Sequence, residues 1–195
     1  MRNATPLPML PPVPRAWRAE VGEILVTETQ IRSRVRQLGA AISRDFRGRE
    51  LTLVALLNGC VVFLADLIRH MPIPLRLDFM GISSYRAGTT SGDLLLTRQL
   101  QIDIRGRDVL LVDDILDTGG TLHNALSSLK ELGAGSVKIC VLLDKPARRK
   151  RPVQADYIGF TIPDEFVVGY GLDFAERFRN LPFIGVLKTP HKPNQ

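Results

Sequence analysis

The stretch that most constrains this chain runs from Asp108 to Gly133, where a short apolar run ends in two adjacent acids and passes through paired glycines into a helical repeat. Val109-Leu110-Leu111-Val112 has the length and the aliphatic make-up of a strand buried on both faces. Leu122, Ala125, Leu126, Leu129 and Leu132 then recur at the spacing of one helix face, and Gly133 stands where a helix is expected to stop. A doubly buried strand needs cover on both sides, so the segment predicts an α/β fold built on a mainly parallel central sheet flanked by helices. Ligands of such sheets sit at the carboxyl ends of the strands, which puts Asp113 to Thr121 where chemistry is expected.

The neighbouring segments repeat the alternation. Thr27 with Gln30 three positions later reads as a capping box, and Ile31, Val35, Leu38, Ile42 and Phe46 form the apolar stripe of an amphipathic helix ending at Gly48. Leu51 to Leu57 reads as a strand, Asn58-Gly59 as a tight loop, and Leu64, Leu67 and Ile68 as a helix that stops before Pro72. Leu75 to Ser83 predicts another strand, Ser84 to Thr97 a mobile loop rich in Gly, Ser and Thr, and Val137 to Leu143 a third buried strand. Beyond Pro152 the pattern changes to short strands and turns, with five of the eight phenylalanines between Phe160 and Phe183, as for a small C-terminal hood lobe over the sheet. The expected organisation is a flexible proline-rich extension over residues 1–16 and a single domain over 17–195, with a core at about 17–150, a hood at about 152–187 and a tail at 188–195.

Composition excludes several classes. At 195 residues, 45% hydrophobic and 24% charged, the chain suits one domain able to bury a sizeable core, and long disorder or a fibrous repeat is ruled out. Its longest apolar run, Cys60 to Ala65, has six residues, against the roughly 18 a membrane helix requires. Cys60 and Cys140 lie inside apolar runs with neither metal-ligand spacing nor a disulfide framework, which predicts a cytoplasmic protein. Met1 to Pro14 holds five of the 13 prolines and no apolar stretch of signal-peptide length. The net charge of +6 is concentrated in residues 1–50 and in Asp144 to Arg151, without the interleaved aromatics of a base-stacking surface, so a small phosphorylated anion suits it better than nucleic acid.

Residues 113–121 read Asp-Asp-Ile-Leu-Asp-Thr-Gly-Gly-Thr, and each part has a chemical meaning. Gly119-Gly120 allows backbone N–H groups to approach an anion, Thr118 and Thr121 add hydroxyl donors, and the helix that follows presents its positive end. The pattern is neither a Walker loop nor a dinucleotide fingerprint. Asp113 and Asp114 beside this cradle are placed to bind sugar hydroxyls or to position magnesium through water. A single phosphate next to a diol is a ribose 5-phosphate. The plainer alternative, solvated turn acids with Thr118 as a helix cap, leaves the clustering with Asp117 and the glycines unexplained.

Val112 to Thr121 resembles the ribose-phosphate-binding motif of the type I phosphoribosyltransferases, and the stretch from about Leu51 to Arg179 is similar to their hypoxanthine-guanine branch. The branch-specific features are Leu57-Asn58-Gly59, Ser84-Tyr85, Asp117, Lys145 and the run Pro163 to Asp173. The resemblance implies transfer of a ribose 5-phosphate from 5-phosphoribosyl 1-pyrophosphate to a 6-oxopurine, with Mg2+ as cofactor and a homodimer or homotetramer as the assembly. It implies Asp117 as general base, Asp113 and Asp114 on the ribose, and Asp117, Thr118, Gly119, Gly120 and Thr121 around the 5-phosphate. It places Lys145, Phe166, Val167 and Asp173 on the purine, Asn58, Gly59 and Arg179 on the pyrophosphate, Asp173, Asp113 and Asp114 near the metal, and Ser84 and Tyr85 in a lid.

Three features depart from the commonest family pattern. Asn58 stands where many members have Lys, Asp113 replaces a frequent Glu, and the proline-rich start has no counterpart. Two rival functions are a nucleic-acid-binding regulator on the same fold, which Asp117 and Phe166-Val167 argue against, and a xanthine-preferring transferase, which differs only in how C2 of the base is read.

Overall fold

The computed structural model describes residues 13–84 and 94–188. In chain order its elements are β1 (Val21–Val26), α1 (Glu28–Asp45), β2 (Leu51–Leu57), α2 (Val61–Arg69), β3 (Leu75–Ser84), β4 (Leu94–Arg98), β5 (Asp108–Leu116), α3 (Gly120–Glu131), β6 (Ser136–Asp144), β7 (Tyr157–Thr161), β8 (Val167–Val168) and β9 (Ile184–Leu187). A six-stranded sheet has the order β4-β3-β2-β5-β6-β7, with five strands parallel and β4 antiparallel at the edge.

The central strands are buried on both faces, and their residues divide by twos. Leu110 and Val112 of β5, with Leu53 and Ala55 of β2 and Cys140 and Leu142 of β6, pack under α1 and α2. Val109 and Leu111, with Val54, Leu56, Ile139 and Val141, pack on the other face against Leu122, Ala125 and Leu129 of α3. This is the period of two expected of a pleated strand. Both cysteines are free and buried.

Helix α1 is capped as the sequence reading expects: Gln30 N–H donates to Thr27 Oγ1 at 3.3 Å and Thr27 N–H donates to Gln30 Oε1 at 2.8 Å. Its buried face is Ile31, Val35, Leu38, Gly39 and Ile42.

A site is created where the sheet parts. Strands β2 and β5 are paired from Leu51–Asp108 to Ala55–Val112, whereas β5 stays paired with β6 as far as Leu116–Asp144. Beyond Val112 the side of β5 that faced β2 has no ladder partner among the described residues. The chain leaves β2 toward β3 through α2 on one face and leaves β5 toward β6 through α3 on the other, so this gap is the topological switch point at which open α/β sheets bind ligands.

Three expectations are corrected. Leu94 to Thr97, inside the stretch read as loop, form β4 together with Arg98 and pair with Gly81 to Ser84, because the edge of β3 offers that backbone its hydrogen-bond partners. Ser84 thus ends β3, and Tyr85 lies outside the described residues. The hood does not coincide with residues 152–187, since Tyr157–Thr161 joins the main sheet beside β6. The second sheet is β1-β9-β8, built by Val21–Val26 from the expected core together with C-terminal strands. Finally, Val13 is buried in the hood's own apolar cluster, against which Trp17, the first residue of the expected domain, packs on Phe178 with ring centroids 5.6 Å apart, so the end of the expected extension belongs to the hood.

Because this exposed cap holds the first turn of α1, Thr27→Ala is expected to cost about 1 kcal/mol of unfolding free energy, measurable by chemical denaturation.

Candidate active site

At the switch point a cleft of about 380 Å³ is lined by the loop after β2, the end of β5 with its turn into α3, and two residues of the hood. Of the residues singled out from the sequence it gathers Asn58, Gly59, Asp113, Asp114, Asp117, Thr118, Gly119, Thr121, Asp173 and Arg179. Gly120 begins α3 immediately behind the turn.

The walls approach closely because two of them are glycine. A Cβ on Gly59 would lie 1.7 Å from Asp114 Oδ2, and a Cβ on Gly171 would lie 2.1 Å from the Gly59 carbonyl oxygen. The loop after β2 is therefore held between the β5 carboxylates and the hood with no room for a side chain. Gly119 has φ +86°, which opens the turn into α3 and is a conformation that L side chains rarely adopt.

Asp113 is buried, and its Oδ1 accepts from the Asp114 N–H at 3.0 Å. Burial, and then the charge of Asp114, pushes the Asp113 carboxyl well above the usual carboxylate range. Burial also raises Asp114, while the hydrogen bond with Asp113 and the nearby Arg179 guanidinium act in the opposite direction. The Cys60 thiol, buried beside both acids, is pushed upward by burial first and by their charges second, so it is an inert hydrophobe.

Asp117 Oδ1 is buried without a hydrogen-bond partner among the described residues, and Arg148 Nε lies 3.4 Å from it. That ion pair is too long to be a good hydrogen bond, so the oxygen keeps acceptor capacity at the cleft. The same Arg148 Nε is 3.7 Å from Asp164 Oδ1, linking the turn to the segment before Phe166. Asp173 and Arg179 face each other across 3.0 Å, and Arg179 also donates to the Gly171 carbonyl at 2.9 Å.

Lys145, Phe166 and Val167 do not line this cleft but form a group next to it. Lys145 is only 4% exposed, against the alternative of a solvated lysine in a basic run, and its ammonium donates to the Glu165 carbonyl. That contact anchors the residue just before Phe166, which is 41% exposed and whose ring meets that of Phe174 edge-on at 5.6 Å. Val167 is buried as the first residue of β8.

Sequence reasoning missed the basic residues behind the turn. Arg149 donates to the carbonyls of Leu116 and Asp117 and pairs with Asp144, and the N–H groups of Lys150 and Arg151 donate to the Thr118 carbonyl. Nothing in the run Asp144 to Arg151 separates these residues from a solvated basic patch; only the fold brings the run behind β5.

Residues 23–175 match the family described as the phosphoribosyl transferase domain, and the chain belongs to that family. Among curated relatives, a hypoxanthine-guanine phosphoribosyltransferase of Streptococcus pneumoniae is 47% identical over 170 residues, covering 87% of this chain and 94% of the relative. The Bacillus subtilis protein of the same name is 43% identical over the same coverage. The chain spans 26% of the length of the bifunctional TilS/HprT protein of Listeria innocua, to which it is 44% identical. The crystal structure of a hypoxanthine phosphoribosyltransferase from Staphylococcus aureus superposes with a TM-score of 0.86 at 42% identity, covering 92% of this chain and 98% of that one. The fold is thus that of the type I phosphoribosyltransferases.

The buried carboxylates give a pH prediction. With its pKa raised by folding, Asp113 binds its proton more tightly in the native than in the unfolded state, so its contribution to stability falls as pH rises above the ordinary carboxyl range. Asp113→Asn is therefore expected to raise the melting temperature at pH 7, with the gain shrinking toward about pH 4, where carboxyls protonate in the unfolded chain. Scanning calorimetry across that range checks it, and a lower melting temperature at pH 7 refutes it.

Proposed function

We propose that the protein is a purine salvage enzyme that transfers the 5-phosphoribosyl group of 5-phosphoribosyl 1-pyrophosphate to hypoxanthine or guanine, releasing pyrophosphate. The observation that carries this reading is a single cleft in which the Asp113–Asp114 pair stands beside a glycine turn at a helix N-terminus, with Asp117 between them in the chain. Its likeness to hypoxanthine-guanine phosphoribosyltransferases at 43–47% identity supports it.

In this reading Asp113 and Asp114 take the ribose hydroxyls, and Thr118 to Thr121 with the Asp117 backbone take the 5-phosphate. Asn58 and Gly59 meet the pyrophosphate, joined by Arg179, whose pairing with Asp173 leaves it poised at the same wall. Asn58 brings no charge, so the loop contributes N–H groups and an amide. The base stacks on Phe166, its edge meets the main chain of Val167, and the Lys145 ammonium selects an oxygen acceptor at C6. Bond formation between N9 and C1 of the ribose accompanies departure of pyrophosphate, and Asp117 accepts the proton that the purine releases at N7. The positive charge that develops on the sugar lies beside Asp113 and Asp114, which stabilise it.

Among the described residues no three His, Cys, Asp or Glu side chains converge as a metal cage. Asp113, Asp114 and Asp173 on one cleft fit Mg2+ in its usual manner, held by few carboxylates and retaining water and substrate oxygens. When bound, magnesium supplies neutralising charge for the pyrophosphate leaving group. The free buried cysteines and the absence of a membrane-length apolar helix among the described residues support a cytoplasmic enzyme, and the family resemblance supports a homodimer or homotetramer.

A spectrophotometric assay with magnesium, the pyrophosphate donor and each of hypoxanthine, guanine, xanthine and adenine tests the proposal, and turnover of none of them overturns it. Asp117→Asn is expected to lower kcat with hypoxanthine by about 10²-fold or more while donor binding persists. Lys145→Gln, whose amide both donates and accepts, is expected to narrow the ratio of kcat/KM between hypoxanthine and adenine. An unchanged ratio removes Lys145 from base recognition.

A further inference from the structure

In a regular strand successive carbonyls point to alternate sides. The Leu116 carbonyl faces β6, where it accepts from the Lys145 N–H at 3.0 Å, so the Asp117 carbonyl would ordinarily face the cleft. It does not. One Arg149 nitrogen, Nη1, donates to both oxygens, at 3.0 Å to Leu116 and 2.5 Å to Asp117, and so draws the second carbonyl to the same side as the first. The next carbonyl, of Thr118, is held on that side as well, by the N–H groups of Lys150 at 2.9 Å and Arg151 at 3.1 Å.

A trans peptide carries its N–H opposite its C=O. With three consecutive carbonyls turned back, the N–H groups of Asp117, Thr118 and Gly119 are turned forward, into the cleft that these residues line. None of the three donates to another group among the described residues. They form an anion nest whose orientation is imposed from behind.

We propose that Arg149 is a positioning residue for the reaction: its guanidinium, itself anchored to Asp144 and with its side chain only 19% exposed, flips the Asp117–Thr118 peptide and so creates the seat for the 5-phosphate of the donor. The inference rests on the phosphoribosyl-transfer reading for the identity of the ligand, but the geometry of the nest does not. A guanidinium suits the task because its planar fork reaches two carbonyls and a carboxylate at once, whereas an ammonium is a point donor. Gly119 fits the same arrangement, since a Cβ there would lie 3.2 Å from the Arg151 carbonyl and 3.4 Å from Arg149 Cδ.

The test compares wild type with Arg149→Gln and Arg149→Lys. Both variants are expected to raise KM for the pyrophosphate donor, Gln by about 10- to 100-fold and Lys by less, while KM for hypoxanthine stays within about twofold. An unchanged donor KM, or two KM values that rise together with a fallen melting temperature, overturns the proposal in favour of a merely structural role. If Arg149→Gln does not fold, Arg149→Lys decides on the same criteria. Titration of wild type and Arg149→Lys with ribose 5-phosphate, followed by the amide resonances of Thr118 and Gly119, separates this inference from the function itself. Loss of the amide response in the variant supports the positioning role even if the wild type turns over no purine, and equal responses refute it even in an active enzyme.

Discussion

The site exists because β5 has two neighbours of unequal length. Its pairing with β2 ends at Ala55–Val112 and its pairing with β6 continues to Leu116–Asp144, so one side of the strand loses its ladder while the other keeps it. Asp113 and Asp114 leave the apolar core at that point and are held by a strand that remains anchored. The consequence is two acids whose charged forms are disfavoured by burial, in a position set by the central sheet rather than by a loop. A folding free energy dominated by the apolar clusters on both faces supports this local cost.

The hood completes what the sheet begins. Its strand β1 comes from the start of the described chain and its strands β8 and β9 from the end, so residues about 160 positions apart close the same wall. Tyr170 ties it to α2 through a hydrogen bond to Asp66 at 2.6 Å, and the Gly171 region rests on the Gly59 carbonyl. Arg179 and Asp173 are thereby held over the cleft. The Lys145 contact with Glu165 ties the end of β6 to the segment that presents Phe166. The half of the site assigned to the sugar phosphate is built on rigid strand ends, and the half assigned to the base is built on a turn that such contacts hold in place.

Part of the positive net charge finds a local explanation in this arrangement. Arg148, Lys150 and Arg151 of the run Asp144 to Arg151 are exposed, but three of the run's cations meet the site walls directly. Arg149 faces backbone carbonyls and Asp144, Arg148 lies between Asp117 and Asp164, and Lys145 is buried. These cations act on individual oxygens of the site walls, which is a different use of basic residues from steering alone.

Much was legible in the sequence by itself: the three buried strands, the capped first helix, and the order of strand, acid pair, glycine turn and helix. These follow from local rules, the period of strand and helix faces and the conformations open to glycine, and local rules act between residues a few positions apart. The tertiary structure alone decided the rest. It turned Leu94–Arg98 into an edge strand, moved Tyr157–Thr161 into the main sheet, paired Val21–Val26 with the C-terminal strands, and put Arg149 behind the turn. Each of these depends on which distant segment supplies a hydrogen-bond partner or an apolar face, and that choice is made when the whole core closes.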